Sequence, residues 1–274
     1  MTIWEAIILG LVQGLTEFLP VSSSGHLTLL QAAFGIEENS MLFSILLHFG
    51  TLISVFICFW RDIVEMVREF FLLLRDACRG EWNLHKTPMR RQMVMVVLAT
   101  IPMVVAVFIN DYIESFFTST LLVGFMLLIT AALLVVTDMH GFGRKDASTA
   151  TWRDALIIGA MQLVAIIPGI SRSGTVMTGG ALRGYSRPFA VKFAFIMSIP
   201  VIIGANIFSV VDAVKESIDP ALILPCLVGV FVAMLSGIAA IKLMNMLVRR
   251  KSFRPFVLYC TLMGLISIVL SLIF

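Results

Sequence analysis

The chain has 274 residues, of which 59% are hydrophobic and 14% are charged, and its mean hydropathy is +1.00. These values exclude an ordinary water-soluble domain. The net charge of +3 is small, and acidic residues are interspersed among the basic ones of residues 61–91, which argues against nucleic-acid binding by that segment. The composition predicts a single membrane domain over residues 1–274.

The first apolar segment, MTIWEAIILGLVQGLTEF, has neither a basic leading region nor a small-residue cleavage site. We therefore expect it to belong to the mature fold and not to a removable signal peptide. The four cysteines are far apart, lack CxxC spacing and fall mostly in apolar runs, so we interpret them as small hydrophobic residues.

Two apolar stretches, at residues 3–33 and 155–182, are each interrupted by a polar segment that contains Gly and Pro. The interruptions read PVSSSGH at 20–26 and PGISRSG at 168–174. A helix that breaks and turns back, a re-entrant hairpin, explains this pattern. Unpaired backbone groups at membrane depth are tolerated only beside protein or a wet cavity, so each interruption should line a cavity.

Six further apolar runs are long enough to cross a hydrocarbon core of about 30 Å. They occupy residues 41–60, 92–109, 119–137, 189–211, 221–244 and 255–274.

The two interrupted stretches also resemble each other. Gly10, Gln13 and Gly25 match Gly159, Gln162 and Gly174 at identical spacing. Each repeat consists of a hairpin followed by three spans. Because three is an odd number, the second repeat must enter the membrane from the opposite side. The prediction is an all-α integral membrane protein built as an inverted repeat, with six transmembrane helices and two re-entrant helical hairpins. The repeats cover approximately residues 1–140 and 151–274.

With this arrangement of spans, the Lys and Arg residues of the connecting segments fall almost entirely on one side of the membrane. The segment before residue 41 and the loop 110–118 hold none, and the loop 212–220 holds only Lys215. The positive-inside rule makes the basic face cytoplasmic, with both termini and the first hairpin on the outer side. Residues 61–91 mix charges with FFLLL and predict an amphipathic helix on the inner surface.

Glu17 is an ionisable residue at membrane depth, which makes it a candidate functional group. His26 and Arg172 are the basic residues of the two interruptions, and the inverted repeat should bring both toward Glu17. A phosphate group can be bound by an Arg guanidinium, by Ser hydroxyls, by backbone N–H groups at glycines and by helix N-termini. The two interruptions offer all four. The predicted phosphate-binding residues are Gln13, Ser22, Ser24, Gly25, Ser171, Ser173 and Gly174.

Cleavage of a phosphoanhydride needs a nucleophile, a base and positive charge. A serine could attack while His26 or Glu17 takes its proton. A divalent cation, Mg²⁺ or Ca²⁺, held by Glu17 and the pyrophosphate oxygens would supply further charge, with Gln13 as an additional candidate ligand. Glu17 could instead be a structural partner of Arg172, and any single serine could bond only to its own helix.

The other three histidines lie outside the two interruptions. His48 is interpreted as an interfacial or core residue. His85 and His140 fall in predicted cytoplasmic loops and are given no role.

The segments QGLTEFLPVSSSGH at 13–26 and PGISRSG at 168–174 resemble the two signature segments of the undecaprenyl-pyrophosphate phosphatase family, the bacitracin-resistance type. The resemblance covers nearly the whole chain. It implies that Glu17, Ser23, His26 and Arg172 are the catalytic residues. The family has Glu or Gln at the position of Gln13. Because this chain has Gln there, the site lacks one possible charged ligand for a cation.

The resemblance further implies a metal-dependent phosphatase of a bacterial inner membrane. It would convert the pyrophosphate of the C55 polyprenyl carrier to the monophosphate for reuse in cell-wall synthesis. The implied partners are the polyprenyl pyrophosphate and membrane lipids, with a homodimer left open and no nucleic acid. Another membrane lipid phosphatase family is rejected, because Thr178 stands where its pattern needs a histidine.

A lipid flippase or secondary transporter is the strongest rival, because inverted repeats with broken helices are transporter architecture. A purely structural membrane protein is a weaker rival, since it gives no reason to bury Glu17, His26 and Arg172 together.

Overall fold

The computed structural model describes residues 1–36, 40–84, 86–109, 119–213, 220–248 and 252–273. Apart from one isolated bridge between Lys145 and Tyr185, the regular structure of these residues is helical. The α-helices are α1 (Ile3–Phe18), α2 (Ser23–Phe34), α3 (Ser40–Cys58), α4 (Trp60–Cys78), α5 (Pro88–Thr100), α6 (Val104–Phe108), α7 (Thr120–His140), α8 (Trp152–Val164), α9 (Arg172–Leu182), α10 (Arg187–Ala213), α11 (Ile223–Leu247) and α12 (Arg254–Ile273).

Five stretches of the described chain are long and apolar enough to cross a membrane. They are Pro88–Ala106, Thr120–His140, Arg187–Ile207, Ile223–Leu247 and Arg254–Ile273. The bent pair Leu42–Cys58 and Trp60–Cys78 brings the number to six when it is counted as one broken span. The predicted all-α multi-pass membrane fold is confirmed. The predicted loop 110–118 and most of the loop 212–220 lie outside the described residues.

Both predicted interruptions separate two short helices. α1 and α2 have 16 and 12 residues, and α8 and α9 have 13 and 11. At about 1.5 Å per residue, none of the four reaches the roughly 30 Å of a hydrocarbon core. Because α1 packs on α2 and α8 packs on α9, each pair forms a helical hairpin.

The tips of the two hairpins lie against each other. A Cβ added at Gly25 would come within 3.0 Å of the Gly169 backbone, and one at Gly174 would contact Pro20 at 3.4 Å. Gly169 has φ +97°, a conformation that a side chain would strain. Small residues therefore let the two interruptions meet at backbone distance, as the inverted arrangement predicted.

The helices of the first 140 residues pack mainly on helices of the last 120. α1 and α3 both lie on α11, α5 lies on α8, and α7 contacts α9 and α12. The α1–α11 contact is close because Gly10 and Gly14 face Gly229 and Ala233 across it. Such small-residue contacts bring membrane helices near enough for backbone packing.

Gly14→Ala should destabilise the protein, because the new methyl would lie 2.4 Å from the Ala233 carbonyl oxygen and 1.9 Å from the Ser236 hydroxyl. Overpacking of this kind typically costs about 1–3 kcal/mol. Gly204→Ala is the matched control, since nothing lies within 4 Å of a Cβ there. Melting temperatures in detergent test this contrast. Equal melting temperatures for the two variants would contradict the close contact.

The predicted amphipathic helix over 61–91 is shorter than expected. The helix α4 ends at Cys78, and Pro88 begins α5 with Thr87 as its N-cap, so Arg90 and Arg91 belong to a different helix. α4 bends by 85° from α3. It exposes a stripe of apolar residues, Val64, Val67, Phe70, Phe71 and Leu74.

Buried charge joins α4 to α5. The Arg90 side chain is 1% exposed, and its guanidinium donates to Glu69 Oε2 at 2.8 Å and to Asp76 Oδ2 at 2.9 Å. Lys86 Nζ also reaches Asp76 Oδ2 at 3.1 Å. These ion pairs hold α4, the amphipathic helix, against the N-terminal end of α5.

Candidate active site at the hairpin tips

Glu17 is the centre of the polar cluster between the two hairpins. It is buried near the end of α1, and its Oε1 pairs with the Arg172 guanidinium at the start of α9. Its Oε2 accepts hydrogen bonds from Ser23 Oγ at 2.5 Å and from Gln13 Nε2 at 2.9 Å. The structure thus brings together four residues that the sequence singled out, from three different helices.

The remaining predicted serines and glycines shape the two loops. Ser22 caps α2 by accepting from the Gly25 N–H at 3.4 Å, and Ser171 caps α9 by accepting from the Gly174 N–H at 3.1 Å. The hydroxyls also contact one another or the neighbouring loop: Ser22 with Ser24 at 3.4 Å, Ser171 with Ser173 at 3.2 Å, and Ser173 with the Leu19 carbonyl at 3.2 Å. Both helix N-termini consequently point into the region around Glu17 and Arg172.

Ser22 has an unusual backbone. Its φ of +70° is the one positive φ of a non-glycine residue in the described part of the chain. Such a conformation typically costs about 1–3 kcal/mol and is concentrated at functional sites. The strained turn places Ser23 on the Glu17 carboxylate six residues earlier.

Both ring nitrogens of His26 bond to groups other than Ser23 and Glu17. Its Nδ1 lies 2.7 Å from the Ser22 carbonyl oxygen, and its Nε2 lies 2.7 Å from the Tyr259 hydroxyl on α12. A carbonyl only accepts, so Nδ1 carries the proton, and Nε2 of the neutral ring accepts from Tyr259. Between His26 and Glu17 as the base for serine, this arrangement favours Glu17.

The sequence does not single out Tyr259, and it predicts His48 to be an interfacial or core residue. In the structure His48 Nε2 lies 3.6 Å from Glu17 Oε2, and its side chain is 26% exposed. The available signals were a tyrosine and a histidine inside otherwise apolar runs. Their orientation toward the hairpin tips could not be deduced from those runs.

Two polar atoms of the cluster have no hydrogen-bond partner among the described residues. They are Gln13 Oε1, an acceptor, and Arg172 Nη1, a donor, and both are buried. Buried polar groups in native proteins are nearly always satisfied by protein, water or a ligand. One unpaired donor and one unpaired acceptor beside Glu17 suit an anion and a cation bound together.

Tyr259→Phe should lower kcat about five- to tenfold, because it removes the donor that holds His26 Nε2, worth roughly 1 kcal/mol. Tyr185→Phe is the matched control, since the buried Tyr185 hydroxyl has no hydrogen-bond partner among the residues that the structure describes. Steady-state kinetics on the two purified variants measure the difference. Unchanged kcat in Tyr259→Phe would mean that the orientation of His26 does not affect turnover.

Comparison with known proteins places this chain in a family. Residues 6–266 match the family described as "Bacitracin resistance protein BacA". The chain belongs to the BacA family. The match covers both hairpins and nearly all the spans, so the resemblance seen in the two signature segments is confirmed.

Several curated proteins resemble this BacA-family chain over its full length. A protein named undecaprenyl-diphosphatase from Alkaliphilus metalliredigens is 40% identical over 100% of both chains. One of the same name from Methanosphaera stadtmanae is 37% identical over 100% of this chain and 99% of its own. A third, from Carboxydothermus hydrogenoformans, is 38% identical over 99% and 98%.

Proposed function

We propose that this chain hydrolyses undecaprenyl diphosphate to the monophosphate and inorganic phosphate, and so returns the lipid carrier to cell-wall synthesis. The full-length relatives named undecaprenyl-diphosphatase support this activity. The transporter alternative finds no support among them. The structural observation that carries the proposal is the Glu17–Ser23–Arg172 cluster with its unpaired Arg172 Nη1.

Ser23 is the serine best placed to attack. Its hydroxyl donates to Glu17 Oε2 at 2.5 Å, so the carboxylate can accept the proton as the oxygen bonds to the terminal phosphorus. The bond from that phosphorus to the bridging oxygen breaks, and the lipid monophosphate leaves. Water then attacks the phosphoserine, which releases inorganic phosphate and restores the Ser23 hydroxyl.

Arg172 binds the phosphoryl group in this proposal. Its guanidinium already pairs with Glu17 through Nη2, while Nη1 is buried and free of protein partners in the described chain. A phosphate oxygen would satisfy Nη1, and the start of α9 adds the favourable end of a helix dipole. The guanidinium therefore stabilises charge that builds on the phosphoryl oxygens during transfer.

The donor set fits a divalent cation that is shared with the substrate. The described residues contain no cluster of three or more His, Cys, Asp or Glu side chains that could hold a metal alone. Glu17 and the unpaired Gln13 Oε1 would bind the cation on the protein side. When bound, the cation neutralises part of the pyrophosphate charge.

The decisive experiment is phosphate release from undecaprenyl diphosphate by purified protein in detergent with Mg²⁺ or Ca²⁺. Turnover that produces equal amounts of the lipid monophosphate and inorganic phosphate is expected. Binding of the lipid without phosphate release would refute the enzymatic proposal.

We place the chain in the inner membrane with both termini outside, on the basis of the one-sided distribution of Lys and Arg. In a cysteine-free variant, Ser115→Cys should react with an impermeant thiol reagent on intact cells. Ser148→Cys, in the segment between α7 and α8, should react only after lysis. The reverse pattern would overturn the orientation, and equal labelling would indicate dual insertion.

A further inference from the structure

His48 is held in an orientation that is common for metal-binding histidines. Its Nδ1 lies 2.7 Å from the Ser44 carbonyl oxygen, one turn earlier on α3. The carbonyl can only accept, so Nδ1 carries the hydrogen and Nε2 of the neutral ring presents its lone pair. Metal-binding histidines nearly always donate their other ring N–H to a carbonyl or carboxylate, which fixes the ring.

The separation between His48 and Glu17 fits two ligands of one cation better than a hydrogen bond. His48 Nε2 lies 3.6 Å from Glu17 Oε2, beyond the usual hydrogen-bond range. Two donors that each lie about 2.1 Å from one cation are about 3.0–3.6 Å apart, for bond angles of roughly 90–120°. The side chain of His48 is 26% exposed, so it is not sealed inside the helix packing.

Gln13 supplies a third oxygen donor and an independent observation. Its Nε2 donates to the same Glu17 Oε2 that faces His48, at 2.9 Å. Its Oε1 is buried and has no partner among the described residues. A buried amide oxygen without a partner is unfavourable, and a cation bound at Oε1 would satisfy it.

We propose that His48 Nε2, together with Glu17 Oε2 and Gln13 Oε1, forms the protein side of the divalent cation site. The inference rests on the proposed function and deepens it, because substrate oxygens complete the coordination. Gln13 is neutral, so the protein ligands carry only one negative charge. The imidazole nitrogen favours a transition metal over Ca²⁺ or Mg²⁺, which prefer oxygen, and Mn²⁺ is the paramagnetic probe that also accepts the oxygen ligands of this site.

The test reads the metal–nitrogen bond directly. The full-length protein is labelled with ¹⁵N only in histidine, loaded with Mn²⁺ and methylenediphosphonate, a pyrophosphate analogue that cannot be hydrolysed, and studied by pulsed EPR. Electron–nuclear coupling to a histidine ¹⁵N is expected. Absence of this coupling, or failure of Mn²⁺ to bind, overturns the proposal.

Two variants and a control assign the nitrogen. His48→Gln should remove the ¹⁵N coupling while keeping an oxygen donor, so Mn²⁺ binding weakens more than Ca²⁺ binding. His48→Leu should weaken Mn²⁺ binding by at least about 10- to 100-fold, the scale for losing even a residue that only orients a metal ligand. His140→Gln, at the exposed end of α7, should leave the coupling intact. Persistence of the coupling in His48→Gln would assign the ligand elsewhere and refute the proposal.

This test separates the cation site from the enzymatic activity. Wild-type protein that releases phosphate but shows no histidine coupling would refute the His48 ligand and leave the phosphatase proposal standing. Protein that shows the coupling but releases no phosphate would refute the phosphatase proposal and leave the cation site.

Discussion

Glu17→Gln is expected to lower kcat for phosphate release by about 100-fold or more, the scale for loss of an acid–base group. The amide keeps the shape of the carboxylate but cannot take the proton that Ser23 donates to Oε2. It also leaves the Arg172 guanidinium without the anion that it pairs with. Excess divalent cation should restore little activity, because the missing group acts on the serine as well as on the cation.

Glu5→Gln is the matched control for this substitution. Glu5 lies on the same helix, where its side chain accepts from the Thr2 N–H in the capping box of α1. Glutamine serves that capping role too, so the variant should fold and turn over normally. Near-full turnover in Glu17→Gln would show that another group accepts the serine proton.

Arg172→Ala is expected to lower kcat by more than 100-fold, by analogy with the roughly 3 kcal/mol lost when a transition-state donor is removed. Arg172→Lys should also lose much of kcat. Lysine keeps the charge but loses the planar fork, so it cannot bind Glu17 and a phosphate oxygen through separate N–H₂ groups at the same time. The unpaired Nη1 is the group that the lysine variant lacks.

Melting temperature distinguishes this phosphate-binding role from a purely structural one. If Arg172 only neutralised Glu17, lysine would serve nearly as well and alanine would damage folding and yield. Arg183→Lys is a suitable control, because Arg183 follows the same helix and pairs with Asp154 at 2.7 Å. Wild-type kcat in Arg172→Lys would contradict binding through the guanidinium fork.

The sequence revealed the hairpin tips because each break has a local cause. Pro20 and Pro168 lack the amide hydrogen that continues a helix, and the serines that follow cap the next helix. Glu17 and Arg172 stood out because charge is rare at membrane depth. These signals need no knowledge of packing, so their positions in the structure matched the expectation.

His48 and Tyr259 could not be placed in the same way. They lie on α3 and α12, spans that are apolar on all sides, so periodicity does not reveal which face of the helix turns inward. The rotation of each span is set by tertiary contacts, such as Gly50 against the Val230 carbonyl oxygen on α11. The end of α4 departs from the prediction for another reason, since the Thr87–Pro88 start signal stands in a segment whose scattered charges, Arg79, Glu81, Lys86, Arg90 and Arg91, continue the charge pattern of α4.

The close contact between α1 and α11 also sets an order of events during synthesis. α1 ends at Phe18 and α11 begins at Ile223, so about 200 residues separate the two partners along the chain. At about 5–20 residues per second, the ribosome needs roughly 10–40 s to make that interval. During this time the Gly10–Gly14 face of α1 has no helix α11 to cover it. The contact between α1 and α11 can therefore form only after α11, which lies in the last quarter of the chain, has been translated.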